Sequence, residues 1–149
     1  MAKKAKPKNE WAPKPMSERE LLREIMKAFE HDAIITLHRR NVGGMQNNKG
    51  QFVRFGEPGQ SDLFGTIKAY RCHVCGMLCE GITLEIEVKS AKGKLTAKQV
   101  AWQEKVRQNN GVAITVRPTE NDPVGLWQRV TRLVEREIHP KCYEQSKKK

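Results

Sequence analysis

The segment EIEVKS, residues 85–90, alternates charged and apolar side chains as a half-buried β-strand does. Glu85, Glu87 and Lys89 therefore share one face of the predicted strand. A divalent metal ion that assists phosphodiester hydrolysis needs hard oxygen ligands, and the phosphorane-like transition state needs positive charge nearby. Glu87 and Lys89 would supply one metal ligand and one cation on the same face.

A second carboxylate is required, and Asp62 is the candidate. It follows the Gly/Pro turn FGEPGQ and opens the preceding predicted strand, where it can lie beside Glu87. The alternative is a solvated strand face, on which a Glu beside a Lys is an ordinary surface pair that contributes little stability. A metal site is favoured over a solvated strand face by the order of motifs along the chain: G-x-S-D-L-x-G, I-E-V-K-S, a Lys/Gly loop and L-T-A-K-Q.

The elements that must position these residues follow from hydrophobic periodicity and capping signals. Ser17 and Glu20 form an S-x-x-E capping box, and Thr96 and Gln99 form a T-x-x-Q box. The predicted elements are a helix at 17–30, strands at 33–39, 61–67 and 81–89, a helix from 96 to about 110, a strand at 112–116, and a last helix from Asp122-Pro123. Between the first two strands lies a Gly/Asn-rich loop, NVGGMQNNKGQ. The pattern predicts a mixed α/β domain.

These motifs, in this order, resemble the virus-type replication-repair nuclease (VRR-NUC) family of the PD-(D/E)XK nuclease superfamily, in its phage stand-alone form. The resemblance covers about residues 17–118. It implies a restriction-endonuclease-like core, a mixed sheet flanked by helices, and a metal-dependent DNA endonuclease. It also implies a preference for branched DNA, like that of Holliday-junction resolvases, and a homodimer.

Carried over position by position, the resemblance implies that Asp62 and Glu87 bind Mg²⁺ or Mn²⁺, with the Val88 carbonyl as a further ligand. Lys89 would position the attacking water and stabilise the transition state. Ser61 stands where the superfamily name has proline. That proline shapes a turn and takes no part in the chemistry.

The resemblance also adds Gln99 and Glu20 to the catalytic residues. Both lie at the N3 position of a capping box, so either side chain could serve only as a cap. Glu85 shares the face of Glu87 but is not part of the motif. We expect it either to be solvated or to contact the metal-binding residues without binding the metal.

Residues 70–81 form an insertion between the two catalytic strands, where the family usually has a short turn. The insertion contains Cys72, Cys75 and Cys79, and C-x-x-C-G has the form of a zinc knuckle. Cys142 or a histidine would be the fourth ligand of a structural Zn²⁺. The alternative is free thiols on an exposed hairpin, or their transient oxidation. Thiolates suit zinc, so this would not be the catalytic metal.

The net charge of +11 lies mostly on two predicted disordered arms, at 1–15 and 141–149, which flank a nuclease domain at 16–140. Such arms attract polyanions without reading sequence, or simply keep a protein soluble. The candidate DNA-binding residues of the domain are Arg39, Arg40, Lys49, Arg54, Lys92 and Lys94. No secretory signal or membrane span is predicted, and we expect a cytoplasmic protein of a bacterium or a phage-infected host cell.

Two other functions fit parts of the sequence. One is a zinc-knuckle nucleic-acid-binding module with an inactive nuclease fold. The other is an assembly or packaging accessory protein in which the charged strand is structural.

Overall fold

Helices cover both faces of a β-sheet in the computed structural model, which describes residues 16–72, 74–119 and 125–139. The elements in chain order are α1 (Glu18–Ala28), β1 (Ile35–Arg39), β2 (Gly43–Gln46), β3 (Phe52–Phe55), β4 (Leu63–Arg71), β5 (Leu78–Val88), α2 (Ala97–Gln108), β6 (Val112–Val116) and α3 (Gly125–Ile138). The mixed α/β class predicted from the sequence is confirmed.

The main sheet has four strands in the order β1-β4-β5-β6. The pairs β1–β4 and β4–β5 are antiparallel, whereas β5 and β6 run parallel and are joined through α2. Because β5 and β6 are parallel, their carboxyl ends lie at the same edge of the sheet. The candidate catalytic residues fall at this edge.

Apolar side chains on one face of the sheet form the core with α1 and α3. Leu21 and Ile25 of α1 and Val130 and Val134 of α3 are all buried in it. The strands contribute a run of nearly inaccessible side chains: Leu63, Ile67, Leu84, Ile86 and Val88. Alternation along β4 and β5 therefore directs their polar side chains to the opposite face, where α2 packs.

Both predicted capping boxes are present. The Ser17 side chain accepts a hydrogen bond from the Glu20 amide and the Glu20 carboxylate accepts one from the Ser17 amide, which starts α1. Thr96 and Gln99 make the same reciprocal pair at the start of α2. These bonds satisfy backbone donors that the first helical turn leaves without partners.

The predicted Gly/Asn-rich loop contains regular structure that the sequence reading missed. Its residues form β2, which pairs with β3 in a separate two-stranded ribbon. The Asn47 side chain accepts hydrogen bonds from the Lys49 and Gln51 amides, and Gly50 has a φ of +75°. An Asx turn followed by a left-handed glycine reverses the chain, so this polar stretch becomes a hairpin.

Two of the other expectations concern residues that are not described. The predicted start of the last helix at Asp122-Pro123, and the two basic arms, lie outside the described ranges. Among the residues that are described, no helix combines the length and the apolar character needed to span a membrane.

Asp32 connects the start of β1 to α3. Its Oδ1 accepts hydrogen bonds from the Ile34 and Ile35 amides at 2.9 and 2.7 Å, and its Oδ2 accepts one from Trp127 Nε1 at 2.7 Å. Partial burial acts to raise the pKa of Asp32, but these three hydrogen bonds outweigh it and hold the pKa below its usual value. The carboxylate form is therefore favoured by folding.

We predict that Asp32→Ala lowers the free energy of unfolding at pH 7 by about 1–2 kcal/mol, because three donors lose their acceptor. The pKa is depressed in the folded state, so this contribution is present above the ordinary Asp pKa of about 4 and is lost as pH falls through the folded value. Urea unfolding followed by tryptophan fluorescence from pH 7 down to about pH 2 should show the two proteins converging below the ordinary Asp pKa. Glu30→Ala, at an exposed position nearby, is the control, and a difference that does not change with pH would contradict the prediction.

Candidate active site

Glu87 lies near the carboxyl end of β5, on the face that α2 covers, and is only 2% exposed. Its Oε1 lies 3.1 Å from Lys89 Nζ and accepts a hydrogen bond from Gln99 Nε2 at 2.5 Å. Residues two apart on a strand point to the same side, which is why Lys89 reaches Glu87. The structure thus brings together three of the residues that the sequence singled out.

Asp62 directly precedes β4 and lies beside Glu87. The antiparallel register pairs Leu63 with Ile86, so one further step places Asp62 opposite Glu87. Asp62 Oδ2 accepts a hydrogen bond from the Val88 amide at 2.9 Å, which fixes the carboxylate at this edge. The N–H and C=O of one strand residue point to the same side, so the Val88 carbonyl also faces Asp62.

The electrostatics of Glu87 reflect this crowding. Burial raises the pKa of Glu87, and the neighbouring Asp62 charge raises it further, whereas the Lys89 ammonium lowers it. The outcome is a pKa of about 7 for Glu87. A buried carboxylate beside a second carboxylate is short of positive charge, and a bound cation would supply that charge.

Gln99 acts both as a cap and as a member of the site. Its Oε1 accepts a hydrogen bond from the Thr96 amide while its Nε2 donates to Glu87. The amide group has one acceptor and one donor end, so the two roles that the sequence left as alternatives are compatible.

A close backbone approach sets α2 against the turn before Asp62. Gly59 has a φ of +94°, and a Cβ at this position would lie 2.4 Å from the Lys98 carbonyl oxygen. Any side chain at Gly59 would therefore push away the start of α2, which carries Gln99.

The acidic residue that α1 directs toward the site is Glu18. Glu20 was left open as a site residue or only a cap, and its carboxylate is held by the Ser17 amide and hydroxyl at 2.9 and 2.7 Å. Glu18 Oε1 instead accepts a hydrogen bond from the Ser90 amide at 2.7 Å, and its charge contributes to raising the pKa of Glu87. The signal for this was the capping box itself, because a capping N3 side chain folds back and leaves the N1 side chain available.

Glu85 is buried, which excludes the solvated position, one of the two alternatives that the sequence left open for it. It is 4% exposed, and Arg40 binds it with two hydrogen bonds of 2.6 and 2.9 Å. Trp102 Nε1 donates a third at 3.3 Å, and the Arg40 guanidinium lies over the Phe64 ring, 4.5 Å from its centroid. Arg40, predicted to bind DNA, therefore has its guanidinium engaged inside the domain.

The other predicted DNA-binding residues are exposed: Arg39, Lys49, Arg54, Lys92 and Lys94. Lys92 and Lys94 lie on the loop after β5, where Arg117 donates hydrogen bonds to the Ser90 and Gly93 carbonyls. Arg54 lies on the β2–β3 ribbon and lines, with Lys98 of α2, a groove of about 280 Å³. Positive side chains therefore lie on two segments next to the Asp62–Glu87 edge.

The cysteine insertion forms a second cluster of metal-ligand type. One ligand atom each from Cys72, Cys75 and His139 lie within 4.8 Å of one another, and these residues could hold a metal ion. Cys79 Sγ lies 3.4 Å from His139 Nε2. Cys142, the predicted fourth ligand, lies outside the described residues. His139 was only one of several histidines that the sequence left open.

Comparison with known proteins does not add a family. No protein-family profile matches this chain, and no curated protein matches it either.

The Arg40–Glu85 pair gives a stability prediction. Arg40→Met should lower the free energy of unfolding by about 3–5 kcal/mol, because it leaves the buried Glu85 charge without its cation. The double variant Arg40→Met/Glu85→Leu should be less destabilised than Arg40→Met alone, since the stranded charge is gone. Urea unfolding measures all three, with Arg39→Met as the exposed control. An Arg40→Met protein as stable as the Arg39→Met control would contradict the buried role.

Proposed function

We propose that this chain is a metal-dependent DNA endonuclease of the PD-(D/E)XK type, selective for branched DNA. The observation that carries the proposal is the cluster at the end of β5, where buried Glu87 contacts both Lys89 and Gln99 beside Asp62. Burying a carboxylate beside a second carboxylate is unfavourable, and such an arrangement is more common in functional sites than in strands with only a structural role.

The residues fit Mg²⁺ or Mn²⁺. The carboxylates of Asp62 and Glu87 and the Val88 carbonyl are hard oxygen donors, which these ions prefer. Burial is the main cause of the raised pKa of Glu87, and the negative charge of Asp62 raises it further. A cation between the two carboxylates would offset both effects. When bound, the metal lowers the pKa of a coordinated water and neutralises charge on the phosphate.

In the proposed hydrolysis a water oxygen forms a bond to phosphorus, one bridging P–O bond breaks, and the departing sugar oxygen takes up a proton. The Lys89 ammonium, 3.1 Å from Glu87, orients the water and stabilises the negative charge that develops on the phosphate oxygens. Gln99 holds the Glu87 carboxylate in place, and the Val88 amide does the same for Asp62. Their fixed orientation avoids reorganisation during the reaction.

The basic residues around the site would hold the DNA backbone. Lys92 and Lys94 lie on the loop that Glu18 and Arg117 anchor, and Arg54 lies on the ribbon beside α2. Phosphate contacts of this kind position a duplex without reading its sequence. The preference for branched DNA, and a homodimer that cuts two strands symmetrically, rest on the family resemblance.

The test is cleavage of a labelled four-way junction and its matched linear duplex in Mg²⁺, Mn²⁺ or EDTA. We expect metal-dependent cleavage of the junction, reduced by about 100-fold or more in Asp62→Asn, Glu87→Gln and Lys89→Met. These near-isosteric changes remove charge without opening a cavity, so the fold should persist, and circular dichroism checks it. Equal cleavage of both substrates would keep the nuclease and exclude the selectivity for branches.

Matched controls separate chemistry from charge. Glu30→Gln and Lys68→Met make the same chemical changes at exposed positions and should cut at the parent rate. Loss of cleavage in these controls would mean that net charge, rather than the cluster, governs the reaction.

A second function is favoured by the cysteine cluster, namely a nucleic-acid-binding module with an inactive nuclease fold. It predicts tight DNA binding that survives removal of Mg²⁺ and Mn²⁺, with no cleavage by any of these proteins. That result would replace the nuclease proposal.

A further inference from the structure

The β4–β5 hairpin ends in a tight turn that brings two cysteines together. The Gly76 amide donates to the Cys72 carbonyl at 2.7 Å, and the Cys72 amide donates to the Met77 carbonyl at 2.9 Å. Gly76 has a φ of +73°, which glycine adopts without strain, and Arg71 Nη1 donates to its carbonyl at 2.9 Å. The turn positions Cys72 and Cys75 for a common ligand.

His139 reaches this turn from the far end of the chain. It follows α3, its amide donates to the Glu135 carbonyl at 3.1 Å, and its ring stacks on Tyr70 with centroids 6.0 Å apart. A ring nitrogen of His139 lies within 4.8 Å of both the Cys72 and Cys75 sulfurs. The stacked ring and the continued helix thus hold the imidazole over the hairpin.

Cys79 lies next to this group and contacts its histidine. Its sulfur is 3.4 Å from His139 Nε2. In a tetrahedral zinc site, with Zn–S of about 2.3 Å and Zn–N of about 2.0 Å, a sulfur and a nitrogen ligand lie about 3.5 Å apart. The observed distance between the Cys79 sulfur and His139 Nε2 is therefore compatible with both atoms binding one zinc ion.

We propose that Cys72, Cys75, Cys79 and His139 bind a structural Zn²⁺ that clamps the β4–β5 hairpin to the end of α3. Three thiolates and one imidazole form a donor set that selects zinc over Mg²⁺ or Mn²⁺. The site is separate from the catalytic one, since Cys79 and Glu87 lie eight residues apart on the same strand, or about 26 Å. The clamp joins segments distant in sequence, so metal binding adds directly to the free energy of folding.

The test is metal analysis of the full chain purified in the presence of zinc and then dialysed. We expect one zinc ion per chain, and a Co²⁺-substituted protein with the absorption of a tetrahedral thiolate site. Cys75→Ser, Cys79→Ser and His139→Ala should each reduce bound zinc to a small fraction and lower the melting temperature. Zinc removal from the parent by a chelator should lower the melting temperature as the substitutions do, which gives a readout that does not depend on a variant folding.

Matched controls test the ligand assignment. His31→Ala and Cys142→Ser should retain zinc. A parent protein without zinc, or a folded His139→Ala protein that binds zinc as the parent does, would overturn the proposal. Loss of zinc in Cys142→Ser but not in Cys79→Ser would overturn the assignment of Cys79. Glu87→Gln should keep its zinc, so failure of the zinc site and failure of the nuclease are distinguishable.

Discussion

The structure depends on two carboxylates buried on one face of β5. Glu85 and Glu87 lie under α2 at 4% and 2% exposure, and each carboxylate loses most of its hydration there. For Glu85, two hydrogen bonds from Arg40 and one from Trp102 replace the lost water contacts. Glu87 has one lysine and one amide, with Asp62 opposing it, and its pKa rises to about 7. Two residues with the same side chain thus have different tasks: Glu85 anchors β1 and α2, and Glu87 is left short of positive charge.

The sheet topology determines which groups surround the Glu87 carboxylate. The antiparallel pairing of β4 with β5 brings Asp62 next to Glu87, and the parallel pairing with β6 requires α2 to cross the same face. The crossover brings Gln99 to Glu87, and Gly59 allows the close approach. Asp62, Lys89 and Gln99 therefore converge on Glu87 because of strand register and one helix crossing.

Local patterns in the sequence were sufficient for much of this. Period-two alternation placed Glu87 and Lys89 on one face, and the capping boxes located the starts of α1 and α2. Asp62 and Gln99 were placed beside Glu87 with the help of the family's motif order, whereas other contacts between distant residues were not predictable, because no local pattern encodes them. The Arg40–Glu85 pair spans 45 residues and the Cys79–His139 contact spans 60. The Glu18 contact with the Ser90 amide is likewise long-range. Glu18 rather than Glu20 makes this contact because the Glu20 side chain is bound to Ser17 in the capping box.

The two ends of β5 offer donors of opposite chemical character. Its carboxyl end has hard carboxylate oxygens beside a lysine, and its amino end has soft cysteine sulfurs beside an imidazole. Under the two metal-site proposals, hard and soft ions would partition between the two ends of β5 by ligand type. The hairpin that carries the cysteines extends away from Asp62 and Glu87, so the proposed zinc would tie it to α3 without touching the candidate catalytic residues.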